Sequence, residues 1–392
     1  MDIETLGNSP VGQLVPIQGR DARHGDFAYF AYLPEPLPDD LTLQSATWTA
    51  VTKASMAVAR LDQLCHQLPD PRLLIRPALW REALDTSALE GTVGALKELL
   101  EAQLPSAQFL SPETIEIRAY ERVALRAFAE VKQRPISVGL LSQIQGELLA
   151  DAAEKPKDLG KPREDPVWIG ERHRPIHDSR FVPCPPGDRL AAGLGAWEAW
   201  VQAEHEHLPP VLRAALAHYQ FETLHPYGDG NGRIGRLVIV LQLLKAGAIK
   251  DPAVTVSPWF LKHRFEYQDH LLQVSRTGDW DPWVQFFCQA IEEQCERLGA
   301  SAGLLLAWLE KARAEINVRR WTGAIHNLLQ DLVEWPVTTV ADTAARYRVT
   351  IVNATRMINH LVEIGVLREL TGRNYGRVFG AQFVMDTVEN MD

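Results

Sequence analysis

The run His225-Pro-Tyr-Gly-Asp-Gly-Asn-Gly-Arg-Ile-Gly-Arg236 places one imidazole, one carboxylate, four glycines and two arginines within twelve residues. Gly228, Gly230 and Gly232 permit a sharp turn and a close approach of backbone to a ligand. Successive amides in such a turn form a concave anion site, and a helix opening there adds the positive end of its dipole. Arg233 and Arg236 are three apart, so within a first helical turn both can face one anion. Asp229 among these donors makes sense if a hard cation such as magnesium travels with the anion, as it does with nucleotide phosphates. His225, at the loop entrance, is placed for a general base. Base, metal carboxylate, amide nest and two arginines together point to phosphoryl or nucleotidyl transfer. The same spacing also fits a structural glycine-rich turn between two helices.

Two helices must hold such a loop. Before it, Pro209–Leu224 carries Val211, Leu212, Ala215, Tyr219 and Phe221 in helix-like apolar spacing. After it, Leu237–Ala248 is mostly apolar and reads as a buried helix.

The stretch resembles the signature of Fic proteins, His-x-Phe-x-Asp/Glu-Gly-Asn-Gly-Arg-x-x-Arg. It matches every fixed position except Tyr227, which stands where the family has Phe. The preceding Phe221-Glu222-Thr223-Leu224 looks like the family's lead-in. The resemblance implies transfer of AMP from ATP, with magnesium, to hydroxyls of target proteins. It assigns His225 as base, Asp229 as metal ligand, and Gly228, Gly230, Asn231, Gly232, Arg233 and Arg236 as phosphate binders. Gly232, where a kinase-like branch has Lys, matches the AMP-transferring members.

Three further stretches fall into place beside it. Thr86, Glu90 and Gly91 fit Ser/Thr-x-x-x-Glu-Gly, similar to the inhibitory helix of Fic proteins that carry their brake N-terminal to the catalytic core. The implied role of Glu90 is to hold Arg236, which would otherwise grip the γ-phosphate of ATP. Val167, Trp168, Ile169 and Gly170, with Phe181, Val182 and Pro183, read as a β-hairpin. They resemble the family's flap, which pairs with the target segment. His263, Arg264, Tyr267 and Gln268 occupy the place of a family motif that helps line the adenine pocket, with His263 and Tyr267 as the candidate contacts.

Composition sets outer bounds. The 392 residues suffice for two or three domains, and 46% apolar and 23% charged residues are ordinary for a globular chain. A net charge of −10 gives no general attraction to nucleic acid or anionic membranes. Cys65, Cys184, Cys288 and Cys295 form no C-x-x-C pattern, which points to reduced thiols and a cytoplasmic location. No apolar run is long enough to span a membrane. The N-terminus lacks the features of a signal peptide.

Residues 1 to about 40, rich in Gly, Pro and Asp, read as irregular. Helical patterns follow at 42–67, 78–100, 112–149 in two parts, 190–204, 259–274, 282–298 and 302–318. Beyond them, helix, strand, two helices and two strands around Thr371–Gly376 resemble a winged helix-turn-helix, with Thr350–Leu361 as recognition helix. Between Pro336 and Gly380, six arginines, Arg346, Arg348, Arg356, Arg368, Arg373 and Arg377, outnumber three acids. DNA and protein both remain open as partners of that segment.

The expected architecture is mostly α. An N-terminal region with inhibitory helix spans 1–110, a Fic-type helical core with a β-hairpin flap 111–300, a linker helix 301–320 and a winged helix-turn-helix 321–392. The expected function is adenylyl transfer from ATP to Ser, Thr or Tyr hydroxyls of target proteins and of the chain itself, with Glu90 as brake. Two alternatives stand beside it: a DNA-binding regulator with a nucleotide-sensing core, and removal of AMP with Glu90 as base. The resemblance also implies homodimers, since many Fic proteins associate so.

Overall fold

A computed structural model describes residues 1–68, 70–104, 110–152, 155–171, 173–372 and 375–391. Helices dominate it, and two small antiparallel sheets flank them.

The chain opens with a short helix, α1 (Ile3–Gly7), and then a hairpin of β1 (Gly12–Asp21) and β2 (Gly25–Pro34). This corrects the irregular reading of residues 1–40. The strands pair in register from Gly12 with Pro34 to Asp21 with Gly25. Asp21 closes the turn by accepting from the amides of Arg23 and His24, at 2.9 and 2.7 Å. Pro16 is tolerated because β1 pairs only with β2 and is an edge strand. Val15, Ala31, Ile176 and Val182 close a small core under the hairpin, apart from the main one.

The main core is built by long helices. α2 (Ser45–Gln67) packs along α12 (Asp281–Val318), a single helix of 38 residues, roughly 57 Å long at 1.5 Å per residue. Sequence patterns gave two helices here with a linker from 301; the structure has no interruption. Apolar positions continue through Leu298, Ala302, Leu305 and Leu309, all buried, and nothing between them breaks a helix. α3 (Arg72–Leu89) lies against α5 (Pro112–Val131), and α4 (Leu96–Glu101) is a separate short turn of helix. α6 (Val138–Leu148), α7 (Asp188–Gln202), α8 (Pro210–Leu224) and α9 (Asn231–Lys245) complete the centre. α8 and α9 are buried on almost every side, as hairpin partners at the middle of a bundle must be. The helix expected over 259–274 is two, α10 (Ser257–Lys262) and α11 (Arg264–Thr277), broken at His263.

The C-terminal part consists of α13 (Ile325–Asp331), β3 (Val337–Thr339), α14 (Val340–Tyr347), α15 (Ile351–Glu363), β4 (Arg368–Glu369), β5 (Val378–Gly380) and α16 (Gln382–Glu389). Its three strands stand in the order β3-β5-β4, antiparallel. Thr339 and Thr350 cap α14 and α15 with their side chains. Arg373, counted above among the basic residues, lies outside the described residues. The closing helix α16, absent from the sequence reading, packs on α3, α4 and α12. Among the described residues no helix is long and apolar enough to cross a membrane.

One polar joint ties the N-terminal helices to the core. The buried carboxylate of Glu82, on α3, accepts from the amides of Val256 and Ser257 at 3.0 Å each and from the Ser257 hydroxyl, capping α10. Glu82→Ala removes all three hydrogen bonds and leaves buried donors unmatched. Chemical denaturation should show a loss of roughly 2–3 kcal/mol; unchanged stability would mean that the N-terminus of α10 finds other acceptors.

Candidate active site

The loop between α8 and α9 begins where α8 ends. His225 is the C-terminal cap, with a left-handed backbone at φ 50°. A non-glycine residue there is unusual, and it is held in place. Arg163, itself buried, donates from Nε to the His225 carbonyl at 2.8 Å and from Nη2 to the carbonyls of Leu224 and Cys184. The Arg163 amide adds a bond to the Pro226 carbonyl at 2.8 Å. Burial lowers the Arg163 guanidinium to about 10, which leaves it charged at neutral pH. Nothing in the spacing of the sequence marks Arg163, because it meets the loop only through the fold.

Tyr227 is buried, packs on Phe221, and finds Ser142 Oγ at 3.3 Å for its hydroxyl. That partner accommodates Tyr where Phe is usual. Asn231 is spent on the loop. Its Oδ1 accepts from the Tyr227 amide at 2.8 Å and its Nδ2 donates to the Tyr227 carbonyl at 2.7 Å. The side chain expected to meet a phosphate thus also staples the loop, with one Nδ2 hydrogen used in doing so. Of the four glycines only Gly230 takes a left-handed φ, +85°, as it caps α9. The first-turn amides of α9, from Asn231 to Arg233, have no intrahelical acceptors and form the anion-attracting end of the helix.

The two arginines do not face one anion. Arg233 pairs with Glu116 at 3.3 Å and reaches Asp229 at 3.5 Å. Arg236, 2% exposed, turns to α3. Its Nε donates to Thr86 Oγ1 at 2.8 Å, and its Nη2 donates to the Thr86 carbonyl at 3.0 Å and to Glu90 Oε1 at 2.7 Å. Glu90 is the C-cap of α3, and Gly91 turns the chain away at φ +99°. Gly232 makes the approach feasible: a Cβ there would lie 2.1 Å from Glu90 Oε1. Burial is the largest single influence on the Glu90 carboxyl and raises it, but the charge and hydrogen bond of Arg236, together with Arg233 and His225, outweigh it and hold the group below its ordinary value. Arg236 is likewise raised by Glu90, against its own burial.

A cavity of about 340 Å³ opens over these groups. His225, Gly232, Arg236 and Glu90 line it on one side, Trp168, Ile169 and Gly170 on another. Val167 lies outside its lining. The expected hairpin is reduced to a single bridge, Ile169 with Phe181, because the intervening chain folds a short 3-10 turn at Ile176–Asp178. The far wall is α11. Tyr267 lines the cavity with its hydroxyl committed to His218 Nε2 at 2.8 Å. His263 does not line it: the ring stacks on Trp259 at 4.1 Å and pairs with Glu266. Arg264, Gln268 and Ser275 do line it. Arg264 and Gln268 belong to the stretch that the sequence placed at the adenine pocket, and Arg264 stands three residues before Tyr267 on the same face.

The electrostatics favour a neutral imidazole. Burial, and then the Arg163 charge, lower His225 to about 4. Its Nδ1 is buried without a full hydrogen bond and lies 4.0 Å from Glu222. Burial pushes Glu222 up to about 7, against the pull of Arg236. Glu222 belongs to the lead-in, but nothing in its spacing singles it out. Asp229 is half exposed and accepts from the Gly230 amide at 2.6 Å. Among the described residues no three His, Cys, Asp or Glu side chains gather as a metal site. A single carboxylate at a helix N-terminus does fit a magnesium ion that arrives on nucleotide phosphates and keeps most of its waters.

Fold and site together define a helical protein whose cavity of about 340 Å³ is floored by a helix N-terminus and a buried arginine. A solved Fic family protein from Desulfovibrio desulfuricans G20 shares this fold, with a TM-score of 0.54 and 18% identity over 87% of this chain and 97% of that one. Sequence models described as Fic/DOC family N-terminal and Fic/DOC family match residues 48–129 and 135–243. Over these residues the chain carries a Fic/DOC N-terminal domain and a Fic/DOC domain. It is 38% identical over 130 residues to a protein adenylyltransferase Fic of Culex quinquefasciatus, covering 33% of this chain and 24% of that protein. The same-named protein of Drosophila melanogaster is 37% identical over 131 residues, again 33% of this chain and 25% of that one. The chain thus spans about a quarter of the length of these relatives.

Because burial sets the His225 charge state, a 15N-resolved NMR titration should find its ring neutral down to about pH 4. A midpoint near the ordinary 6.5 would contradict that account of the site.

Proposed function

We propose that the chain is a protein adenylyltransferase that moves AMP from ATP to Ser, Thr or Tyr hydroxyls of a target protein and of itself, restrained by Glu90. The observation that carries this reading is a neutral His225 beside an α9 N-terminus, in one cavity with an Arg236 already occupied by a carboxylate. The relatives named protein adenylyltransferase Fic support the same chemistry.

In this mechanism His225 accepts the proton of the target hydroxyl. The oxygen attacks the α-phosphorus of ATP, the bond to the bridging oxygen breaks, and pyrophosphate leaves with that electron pair. First-turn amides of α9 meet the α-phosphate oxygens, where negative charge builds. Asp229 would hold the magnesium ion, which supplies charge neutralisation at the phosphates. Arg233 supports the loop through Asp229, and Arg236 takes the γ-phosphate when Glu90 releases it. While Glu90 holds Arg236, a nucleotide would bind with its phosphates misplaced, and misplacement costs rate. Trp168, Ile169 and Gly170 form the edge along which a target segment would lie. The four cysteines are free and buried, which suits a reducing compartment, the cytoplasm in our reading.

The C-terminal part we read as a winged helix. Its support is the order of three helices and a three-stranded sheet, with α15 exposed at Ile351 and Val352. DNA is the less favoured partner. Arg346 lies over Trp335 and pairs with Asp342, and Arg377 lies over Phe379, so the basic residues are partly engaged within the fold. Removal of AMP is a second reading, favoured by one feature: Glu90 is ionised and a third exposed in the cavity that holds His225. Glu90-dependent release of AMP from a labelled target would distinguish it.

Labelling with α-phosphate-labelled ATP and magnesium tests the main reading. Glu90→Gly should raise self-labelling by one to two orders of magnitude, roughly the range of ordinary coupling between sites. Glu90→Gly with His225→Ala should show none. Label that persists in the double variant removes His225 from the mechanism, and flat activity in Glu90→Gly removes the brake.

A further inference from the structure

The helix that presents Thr86 and Glu90 to Arg236 is held at its other end by the C-terminal part of the chain. At the start of α3, Arg72 Nη1 lies 3.3 Å and Arg76 Nε 3.5 Å from the carboxylate of Glu334. The Arg76 guanidinium also sits 4.9 Å over the ring of Trp335. Arg346 lies 4.9 Å from the same ring, so the indole is clasped between a residue of α3 and one of α14. Five residues beyond Arg76, and so on another side of the helix, Arg81 Nη1 donates at 3.0 Å to the carbonyl of Glu389, at the end of α16. Arg81 Nη2 bonds Asp85 at 2.9 Å, one residue before Thr86. Under this bond α16 buries Val384, Met385 and Val388, and packs on α3 and α4.

These contacts have no role in the chemistry derived above, and they are costly to assemble. Each arginine loses rotamer freedom, and exposed pairs of this kind return little stability. Glu334 and Arg76, however, are mostly buried, at 14% and 18% side-chain exposure, and the ring between two guanidiniums adds cation–π attraction. Their common effect is to fix one helix, and that helix ends on the brake.

We propose that the C-terminal part of the chain is a latch on the brake: through Glu334, Trp335 and the end of α16 it fixes α3, and so keeps Glu90 on Arg236. The proposal rests on the reading of Glu90 as inhibitory. A helix gripped at residues 72 and 76, and again at 81 beyond its internal Pro77, cannot tilt its last turn away from α9 without breaking those contacts. Release of the C-terminal part from α3 lowers the barrier to the state in which Arg236 is free for phosphate. The two sites then meet the requirement for coupling, namely one element with two positions that both sites bias.

The test uses the full chain with Trp335→Ala, and separately Glu334→Gln, each in the wild-type and Glu90→Gly backgrounds. Self-labelling should rise about five-fold or more in each latch variant alone, the low end of ordinary inter-site coupling. In the Glu90→Gly background the same changes should add nothing, since the brake is already off. Latch variants at the wild-type level beside a strongly labelled Glu90→Gly protein would overturn the latch and leave the brake standing. Additive gains in the Glu90→Gly background would also overturn it. Hydrogen exchange at the amides of residues 86–91 reads the latch without activity. Faster exchange there in both variants, with circular dichroism unchanged, is the expected result, and unchanged exchange overturns the proposal even if no variant labels.

Discussion

A guanidinium that is 2% exposed must be answered by acceptors close by, because an unpaired charge in that surrounding would cost several kcal/mol. Arg236 is that group. Its own helix supplies no acceptor, so the answer comes from α3, through one hydroxyl, one carbonyl and one carboxylate. The chain order follows from this. Residues 86 and 90 must be carried to residue 236 by helices that pack α3 against α5 and α9. Gly232 must lack a side chain where the Glu90 carboxylate arrives. The N-terminal helices are thus bound to the core by electrostatics as well as by apolar contact.

The same low-polarity surrounding sets the charge of every group near the loop. It keeps His225 neutral and lifts Glu222 to about 7, while Arg163 and Arg236 stay charged. A neutral imidazole beside fixed positive groups is the state a base needs when a proton must move towards it. Orientation has a separate source. The left-handed backbone of His225 is held by Arg163 and by the end of α8, not by the ring itself.

Away from the cavity, the peripheral elements act as braces. The N-terminal hairpin backs the flap: the Tyr32 amide donates to the Val182 carbonyl at 2.9 Å, and Phe27 lies edge-on to Trp168. The C-terminal part backs α3 through Glu334, Trp335 and Glu389. The Ile169–Phe181 bridge and α3, the two segments that a substrate would have to meet or move under our proposal, are each stiffened by a part of the chain remote in sequence.

By itself the sequence determined the helical class, the loop from His225 to Arg236 and the Thr86–Gly91 stretch. Each depends on local spacing: apolar residues on one helical face, or donors within a single turn. The bounds of α8 and the helices α13, α14 and α15 were legible for that reason. The hairpin of β1 and β2 was not, because glycines and Pro16 mask an alternation that only pairing makes decisive. Tertiary structure alone decided which partners the polar groups took. It turned Arg233 to Glu116 and Arg236 to Glu90, bonded Asn231 to Tyr227, moved His263 out of the cavity, and brought in Arg163 and Glu222. Spacing along a chain says which side chains can share a face. Which of them share a buried polar atom depends on helices brought together from 150 residues apart and more.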